Sequence, residues 1–397
     1  MKDSAVWLIS GGPMQQIVAK KIRSNRFRLI VSDGNANAAC KDMADLFLNI
    51  DTFNVDDHIK TCDEILKRFE VKAVLTFAAD CHYTVAKVAG YLNLPHIDPE
   101  ISQTCRDKFK TRELLRDNGF LQPESYVVSS FDEAKSILHS NNIKKTFVLK
   151  ATDNSGSRGF QIITNPKNFS LEQFRYTQEY GTTGKVILEE QLIPDSTQIS
   201  EASVETLWFE GKMYWINWVD RIFPRDLQFF PDVCMQIKPN EWIEVAHINP
   251  AKRDFSTKEQ VISLMQKAGQ VLGMHNQPWG HLLKGDIFFT ESGPVILELT
   301  PRSSGGWDSS GSSVSRGADI AGGVLQMALG YPLTLDTWYR FFNFHDVERT
   351  AVVFSRISDQ AKDCTGRSFA LSSGYAAVNE LMNQSLKKLE EENYVTA

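Results

Sequence analysis

Gly285-Asp286-Ile287-Phe288-Phe289-Thr290-Glu291-Ser292-Gly293-Pro294-Val295-Ile296-Leu297-Glu298-Leu299-Thr300-Pro301-Arg302 is the stretch on which the fold turns. Two apolar runs flank a polar turn, and the spacing predicts a hairpin closed by a three-residue loop, Glu291–Gly293. In that register Phe289 faces Val295 and Ile287 faces Leu297 on one apolar face. Strand alternation puts Asp286 and Glu298 directly opposite each other on the other face, with Thr300 two residues on. Opposed side chains sit ~5 Å apart, where two carboxylates repel. A divalent cation removes the conflict, since Mg²⁺ is commonly held by one or two carboxylates plus substrate phosphate oxygens. The plain alternative is a solvated acidic pair on an exposed sheet. Arg302 then lies at the edge of the acidic pair, followed by Ser303-Ser304-Gly305-Gly306. There a guanidinium can clamp a carboxylate or phosphoryl oxygen while backbone N–H groups approach closely.

Working outward, Phe147-Val148-Leu149-Lys150 reads as a strand that delivers a lysine into a Gly/Ser loop containing Ser155, Gly156, Ser157 and Gly159. Bare loop N–H groups beside cationic side chains suit a polyphosphate. The loop lacks the G-x-x-x-x-G-K-[ST] pattern, and a simple hairpin connection is the competing reading. Lys185–Glu190 is an apolar strand ending in Glu189 and Glu190, followed by Gln191-Leu192 and then Ser200-Glu201. Extended backbone leaving such a strand can pair with a purine edge, and a nearby acid can take ribose hydroxyls. Exposed glutamates on an ordinary strand are the alternative.

Before these segments the first hundred residues alternate strands and helices: Val6–Ser10, Gln15–Ser24, Arg28–Ser32, Asp57–Phe69, Ala73–Phe77 and Tyr83–Leu92. That alternation predicts a parallel sheet with helices on both faces. The turn Gly11-Gly12-Pro13 and the acid Asp33 invite a dinucleotide reading, but G-x-G-x-x-G spacing is absent and Pro13 removes an N–H. Asp107–Asn118 reads as a helix stopped at Gly119. Further hairpins surround Glu210-Gly211-Lys212 and Glu291-Ser292-Gly293, the second preceded by a helix at Lys258–Leu272. Near the end are a helix at Gly317–Leu329, a strand at Thr350–Arg356 and a charged helix at Tyr375–Glu391. The fold class is α/β, with borders expected near residues 100 and 330.

Composition narrows the function. The 397 residues are 42% hydrophobic and 23% charged, ordinary for a folded chain and unlike disordered or collagenous sequence. A net charge of −6 without a basic block argues against nucleic acid as partner. No apolar run reaches the ~20 residues of a membrane span, and Met1–Ser10 does not read as a signal peptide. Six cysteines without a C-x-x-C pair predict reduced thiols in a cytoplasmic protein.

Taken in order, these segments resemble the ATP-grasp superfamily, in the branch of biotin carboxylase, the carbamoyl phosphate synthetase large subunit and the amino-acid ligases. The resemblance covers nearly the whole chain. It rests on Leu8–Gly12 with Val31–Asp33, on Asp107-Lys108, on Lys150 with Ser155–Gly159, on Glu189–Leu192, and on Asp286 with Glu298–Arg302. It implies a Rossmann-like preceding domain (1–100) and an ATP-grasp domain (101–330, lid about 125–190) with nucleotide between two sheets. A C-terminal α/β segment (331–397) would complete the active-site domain. It further implies that Lys108 and Lys150 neutralise ATP phosphates under the Ser155–Gly159 loop. Glu189 and the backbone of Glu190 and Leu192 would bind adenine, and Glu201 the ribose. Asp286 and Glu298 would ligate Mg²⁺ (or Mn²⁺). Arg302 would stabilise an acyl phosphate, Arg221, after a strand at Tyr214–Val219, would sit near the γ-phosphate, and Ser303, Ser304, Gly305 and Gly306 would help bind the acid. The sequence departs from the common E-x-N-P-R at Thr300, which replaces the Asn.

The expected activity is a Mg²⁺-dependent carboxylate–amine ligase that forms an amide through an acyl phosphate, with small-molecule substrates and, by analogy with relatives, a homodimer. Two other readings stand beside it: a nicotinamide-dependent oxidoreductase built on the first hundred residues, and an ATP-binding protein of the same fold without catalysis. The identity of the acid and the amine is not encoded in any of these segments.

Overall fold

The computed structural model describes residues 2–140, 145–154, 158–231, 233, 242–304, 317–331, 333–344, 349–357, 362–373, 384 and 387. The first unit is a four-stranded parallel sheet of β1 (Asp3–Ile9), β2 (Arg28–Ser32), β3 (Leu46–Leu48) and β4 (Phe69–Leu75), in the order β3-β2-β1-β4. Alternation along β1 sends Ala5, Trp7 and Ile9 to one face, where they pack with α2 (Val55–Arg68) and α3 (His82–Tyr91). Val6 and Leu8 go to the other face, where they meet α1 (Gln16–Ser24) and, from far along the chain, Ile320, Ala321, Val324 and Leu325. Both faces are thus covered, as a parallel sheet requires. The short β3 escapes sequence reading, because three half-buried residues carry no usable period.

A helix unseen in the sequence, α4 (Pro99–Arg106), precedes α5 (Lys108–Asp117). Asp107 caps α5 through bonds from the N–H groups of Phe109 (2.9 Å) and Lys110 (3.2 Å). Gly119, at φ 73°, follows its C-terminal end. Next come β5 (Ser125–Val128), α6 (Phe131–Ser140), β6 (Phe147–Ala151), β7 (Gln161–Ile163), α7 (Leu171–Glu179) and β8 (Val186–Glu190). The strands form an antiparallel sheet in the order β5-β8-β6-β7.

The largest sheet has seven antiparallel strands. They are β9 (Glu201–Phe209), β10 (Lys212–Ile222), β11 (Ala246–Asn249), β12 (His281–Thr290), β13 (Gly293–Thr300), β14 (Arg349–Ile357) and β15 (Lys362–Ser373), in the order β13-β12-β9-β10-β11-β14-β15. Glu210 and Gly211, both at positive φ, make the β9–β10 turn. The helix α8 (Phe255–Leu272) covers one face of this sheet. A Cβ on Gly285 would stand 2.5 Å from Met265 Sδ of α8, so Gly285 lets that helix approach. By alternation Lys284 and Asp286 point to the opposite face.

Two details of the expected hairpin are corrected. Thr290 pairs with Gly293, leaving a two-residue loop, Glu291-Ser292, because Gly293 at φ 120° already belongs to the strand. A register shift between Asp286 and Ile287 then makes Leu297 an extra residue. Ile287 therefore faces Ile296, not Leu297, and Phe289 faces Pro294, not Val295, while Asp286 still faces Glu298. A bulge of this kind re-aims side chains beside functional positions. Arg221 is also inside β10, not beyond a strand ending at Val219.

Two further helices, α9 (Ile320–Leu329) and α10 (Leu335–Phe342), follow. Most of the expected helix Tyr375–Glu391 lies outside the described residues.

Candidate active site

The site face of the seven-stranded sheet is a grid of polar residues fixed by register. One row across the strands is Arg221 on β10 and Glu201 on β9; the next is Ser203 on β9, Asp286 on β12 and Glu298 on β13; the third is Asn217, Glu205, Lys284 and Thr300. Asp286 is 5% exposed, with Lys284 Nζ at 2.5 Å and Arg221 Nη1 at 3.4 Å from its Oδ2. Arg221 also reaches Glu201 (3.3 Å) and Glu244 (2.9 Å), a carboxylate set that outweighs burial and raises its pKa far above the usual value.

The helix α5 ties this face to the four-stranded antiparallel sheet. Lys108, its first residue, sits 3.7 Å from Glu298 and bonds the carbonyl of Asn154, while its backbone N–H donates to Thr152 (2.8 Å). One turn later Arg112, 1% exposed, donates to Glu189 (3.1 Å) and to the Ile296 carbonyl of β13 (3.2 Å). Lys150 bonds the other oxygen of Glu189. Burial alone would raise the Glu189 pKa, but the charges of Arg112 and Lys150 prevail and bring it down to about 2. The Glu189 carboxylate is therefore committed to two cations, and any contact with adenine here would fall to strand backbone. Glu190 meets Lys145 (3.0 Å), and Leu192 is half-buried beyond the strand end.

The Glu201 carboxylate lies between Arg221 and Arg225 (3.4 Å), close enough to Asp286 for the two charges to repel. That sets it beside the acids of the hairpin. Burial pushes its pKa up to about 7, against the pull of the two arginines. Between its ordinary value near 4.5 and 7 the folded chain holds the proton more tightly than the unfolded chain does. Stability should therefore fall as pH rises through this window, by at most ~1.4 kcal/mol per unit. Denaturation curves from pH 4.5 to 8 are expected to show this slope in the wild type and to lose it in Glu201→Gln.

Arg302 is buried, and its guanidinium is held by Asp80, which follows β4 of the first sheet. Burial opposes its charge, but Asp80, its direct partner, and the more distant charges of Glu298 and Asp286 together raise its pKa. Ser303 is buried, and its hydroxyl has no hydrogen-bond partner among the described residues. The Ser304 N–H donates to Glu205 (2.8 Å), and the Ser304 hydroxyl lies 3.3 Å from that of Ser203. Gly305 and Gly306 lie outside the described residues, as do Ser155, Gly156 and Ser157. Gly159 has φ 70°, and a Cβ there would strike Tyr180 at 2.8 Å. Lys150 stands over the Phe160 ring (5.8 Å), which meets Trp242 (5.5 Å), so the two antiparallel sheets approach each other at this point.

Arg112, Asp80, Lys284, Arg225, Glu205 and Glu244 complete the cluster and were not singled out from sequence. Arg112 carries a local signal, one helical turn after Lys108, and Lys284 another, one strand repeat before Asp286. Asp80 carries none, because only tertiary packing brings it to Arg302.

The candidate metal donors on this face are all oxygen, from Asp286, Glu298 and the buried Thr300 hydroxyl, which has no hydrogen-bond partner among the described residues; such a set suits Mg²⁺ or Mn²⁺. Among the described residues no three His, Cys, Asp or Glu form a metal cage by themselves. Such an ion would rely on ligand oxygens as well.

No family model matches the chain. Its fold is that of the ATP-grasp ligases. The L-amino acid ligase from Bacillus licheniformis superimposes with a TM-score of 0.67 over 98% of both chains, at 17% identity. The carboxyaminoimidazole ribonucleotide synthase from Aspergillus clavatus, complexed with ATP, gives 0.70 over 98% of this chain and 99% of that one, at 12% identity. In sequence, the alanine–anticapsin ligase of Bacillus subtilis (strain 168) is 24% identical over 235 residues, 56% of this chain and 48% of its own length. The uncharacterized protein y4rH of Sinorhizobium fredii is 24% identical over 314 residues, 78% of this chain and 58% of its own. The chain thus spans about half the length of the curated relatives it matches.

Proposed function

We propose that this chain is an ATP-dependent carboxylate–amine ligase, with the first hundred residues as a Rossmann-like preceding domain and ATP between the two antiparallel sheets. The observation that carries the reading is the cross-strand pair Asp286–Glu298, with Lys108 paired to one acid and Arg221 to the other, and with the Arg302 charge within electrostatic reach of both. Asp286 and Glu298 would hold Mg²⁺, which supplies charge neutralisation to the phosphates. Lys108 and Lys150 add positive charge along the triphosphate, and Arg302 exchanges Asp80 for the substrate carboxylate. An oxygen of that carboxylate attacks the γ-phosphorus as the bond to the β-phosphate oxygen breaks, giving an acyl phosphate and ADP. An amine nitrogen then attacks the acyl carbon, phosphate leaves, and loss of a proton yields the amide. Positioning and charge do the catalytic work, as phosphoryl transfer demands.

The nicotinamide reading fares worse. Both oxygens of Asp33 accept bonds from local backbone, Gly11 N–H (2.7 Å) and Asn35 N–H (2.8 Å), so Asp33 braces its own turn. Among the described residues no helix is long and apolar enough to cross a membrane. An ADP-release screen of carboxylates against amino acids is expected to find pairs that depend on both substrates and on Mg²⁺. ATP binding without ADP release across the whole panel would leave only a binding protein, and a preference for NAD(H) over ATP would overturn the reading.

A further inference from the structure

One side chain on the site face has chemistry that the ligase reading leaves unused. Lys284 stands two residues before Asp286 on β12, between Glu205 on β9 and Thr300 on β13. It is 8% exposed, and its ammonium lies 2.5 Å from Asp286 Oδ2. Lysines are rarely buried this deeply unless charge holds them. Next to it the Thr300 hydroxyl is buried and lacks a hydrogen-bond partner among the described residues. Glu298, in contrast, keeps a quarter of its side chain exposed, and among the described residues its ion pair is the longer one to Lys108, at 3.7 Å.

We propose that Lys284 is a built-in cation that occupies the Thr300 side of the site, next to Asp286, so that nucleotide binds with a single divalent ion, the one held between Asp286 and Glu298. This rests on the nucleotide reading given above. Paired metal ions in phosphoryl-transfer sites stand ~3.5–4 Å apart and share ligands. An ammonium already seated on Asp286 repels a second dication at that range. The donor on that side is also poor, because Thr300 offers a short neutral hydroxyl where a hard cation favours carboxylate or carbonyl oxygen. A lysine can meet a phosphate oxygen as a compact point charge without any metal to dehydrate. Lys284 is thus a positioning residue that sets the metal count of the site.

The test uses the full chain with Mn²⁺ and the non-hydrolysable analogue AMP-PNP, counting protein-bound Mn²⁺ by electron paramagnetic resonance against bound nucleotide. The wild type should retain one Mn²⁺ per nucleotide, with the spectrum of an isolated ion. Lys284→Met should admit a second and show a spin-coupled pair, whereas Lys284→Arg should stay at one. Two Mn²⁺ per nucleotide in the wild type would overturn the proposal, as would a nucleotide-bound Lys284→Met that stays at one. If Lys284→Met does not fold, the wild-type count still decides. Failure of the wild type to bind AMP-PNP at any Mn²⁺ concentration would instead refute the ligase reading, and this proposal with it.

Discussion

Asp286→Asn and Glu298→Gln are each expected to lower turnover by on the order of 10³-fold, measured as Mg²⁺-dependent ADP release at saturating ATP. The two carboxylates face each other across β12 and β13, and losing one removes half of the protein's anionic hold on the metal. A metal's stabilisation of transferring phosphoryl charge is worth several kcal/mol, and each ~1.4 kcal/mol is tenfold in rate. The two variants should differ in stability. Asp286 balances Lys284 and Arg221, both largely buried, so its neutral variant leaves those cations short of a partner. Glu298 is more exposed and, among the described residues, pairs with Lys108 alone at 3.7 Å, so Glu298→Gln should fold nearly as well as the wild type. Undiminished ADP release in both variants would remove the metal assignment.

The largest expected effect on stability lies at Arg112. Its guanidinium is buried with Glu189, and it also holds the Ile296 carbonyl, so one side chain joins α5, β8 and β13. Arg112→Met is expected to cost about 3–5 kcal/mol, the usual result of stranding one member of a buried pair. Lys150 remains on Glu189 and should keep the loss near the lower figure. The double variant Arg112→Met/Glu189→Leu should recover part of it, because the stranded acid is gone. Glu189 is held at about 2, below its ordinary value near 4.5, so its pairing stabilises the fold above pH 4.5. That contribution fades as pH falls through about 2. The gap between wild type and Arg112→Met should therefore be widest above pH 4.5 and narrow in acid, as urea titrations at pH 7 and pH 3 would show.

Much of this was legible before any coordinates. The strands around Asp286 and Glu298 follow from alternation, and their opposition survives even though the turn beyond them is one residue shorter and a bulge follows. That bulge was not legible, because Leu297 resembles its apolar neighbours and only a three-dimensional register exposes it as the extra residue. Lys150 and Glu189 were read separately, as a phosphate ligand and an adenine ligand. They bond each other because β6 and β8 lie side by side, a pairing that crosses α7 and leaves no local trace. The surroundings of Glu201 are hidden for a related reason. On paper it follows the β8 segment, but its strand neighbours are Arg221 and Phe288, and register decides its company. Asp80 shows where sequence reading stops, since its partner Arg302 is more than two hundred residues away.

The helix α9 has a consequence for how this chain can be cut and recombined. It buries its apolar side against Val6, Leu8 and Ile22, and Lys21 reaches Asp319 just before it at 2.7 Å. A fragment ending near residue 100 would keep α1 but lose the rest of the cover on that side of its sheet, and should aggregate. A chimera that borrows the amino-terminal hundred residues from a homologue would have to import the matching helix as well.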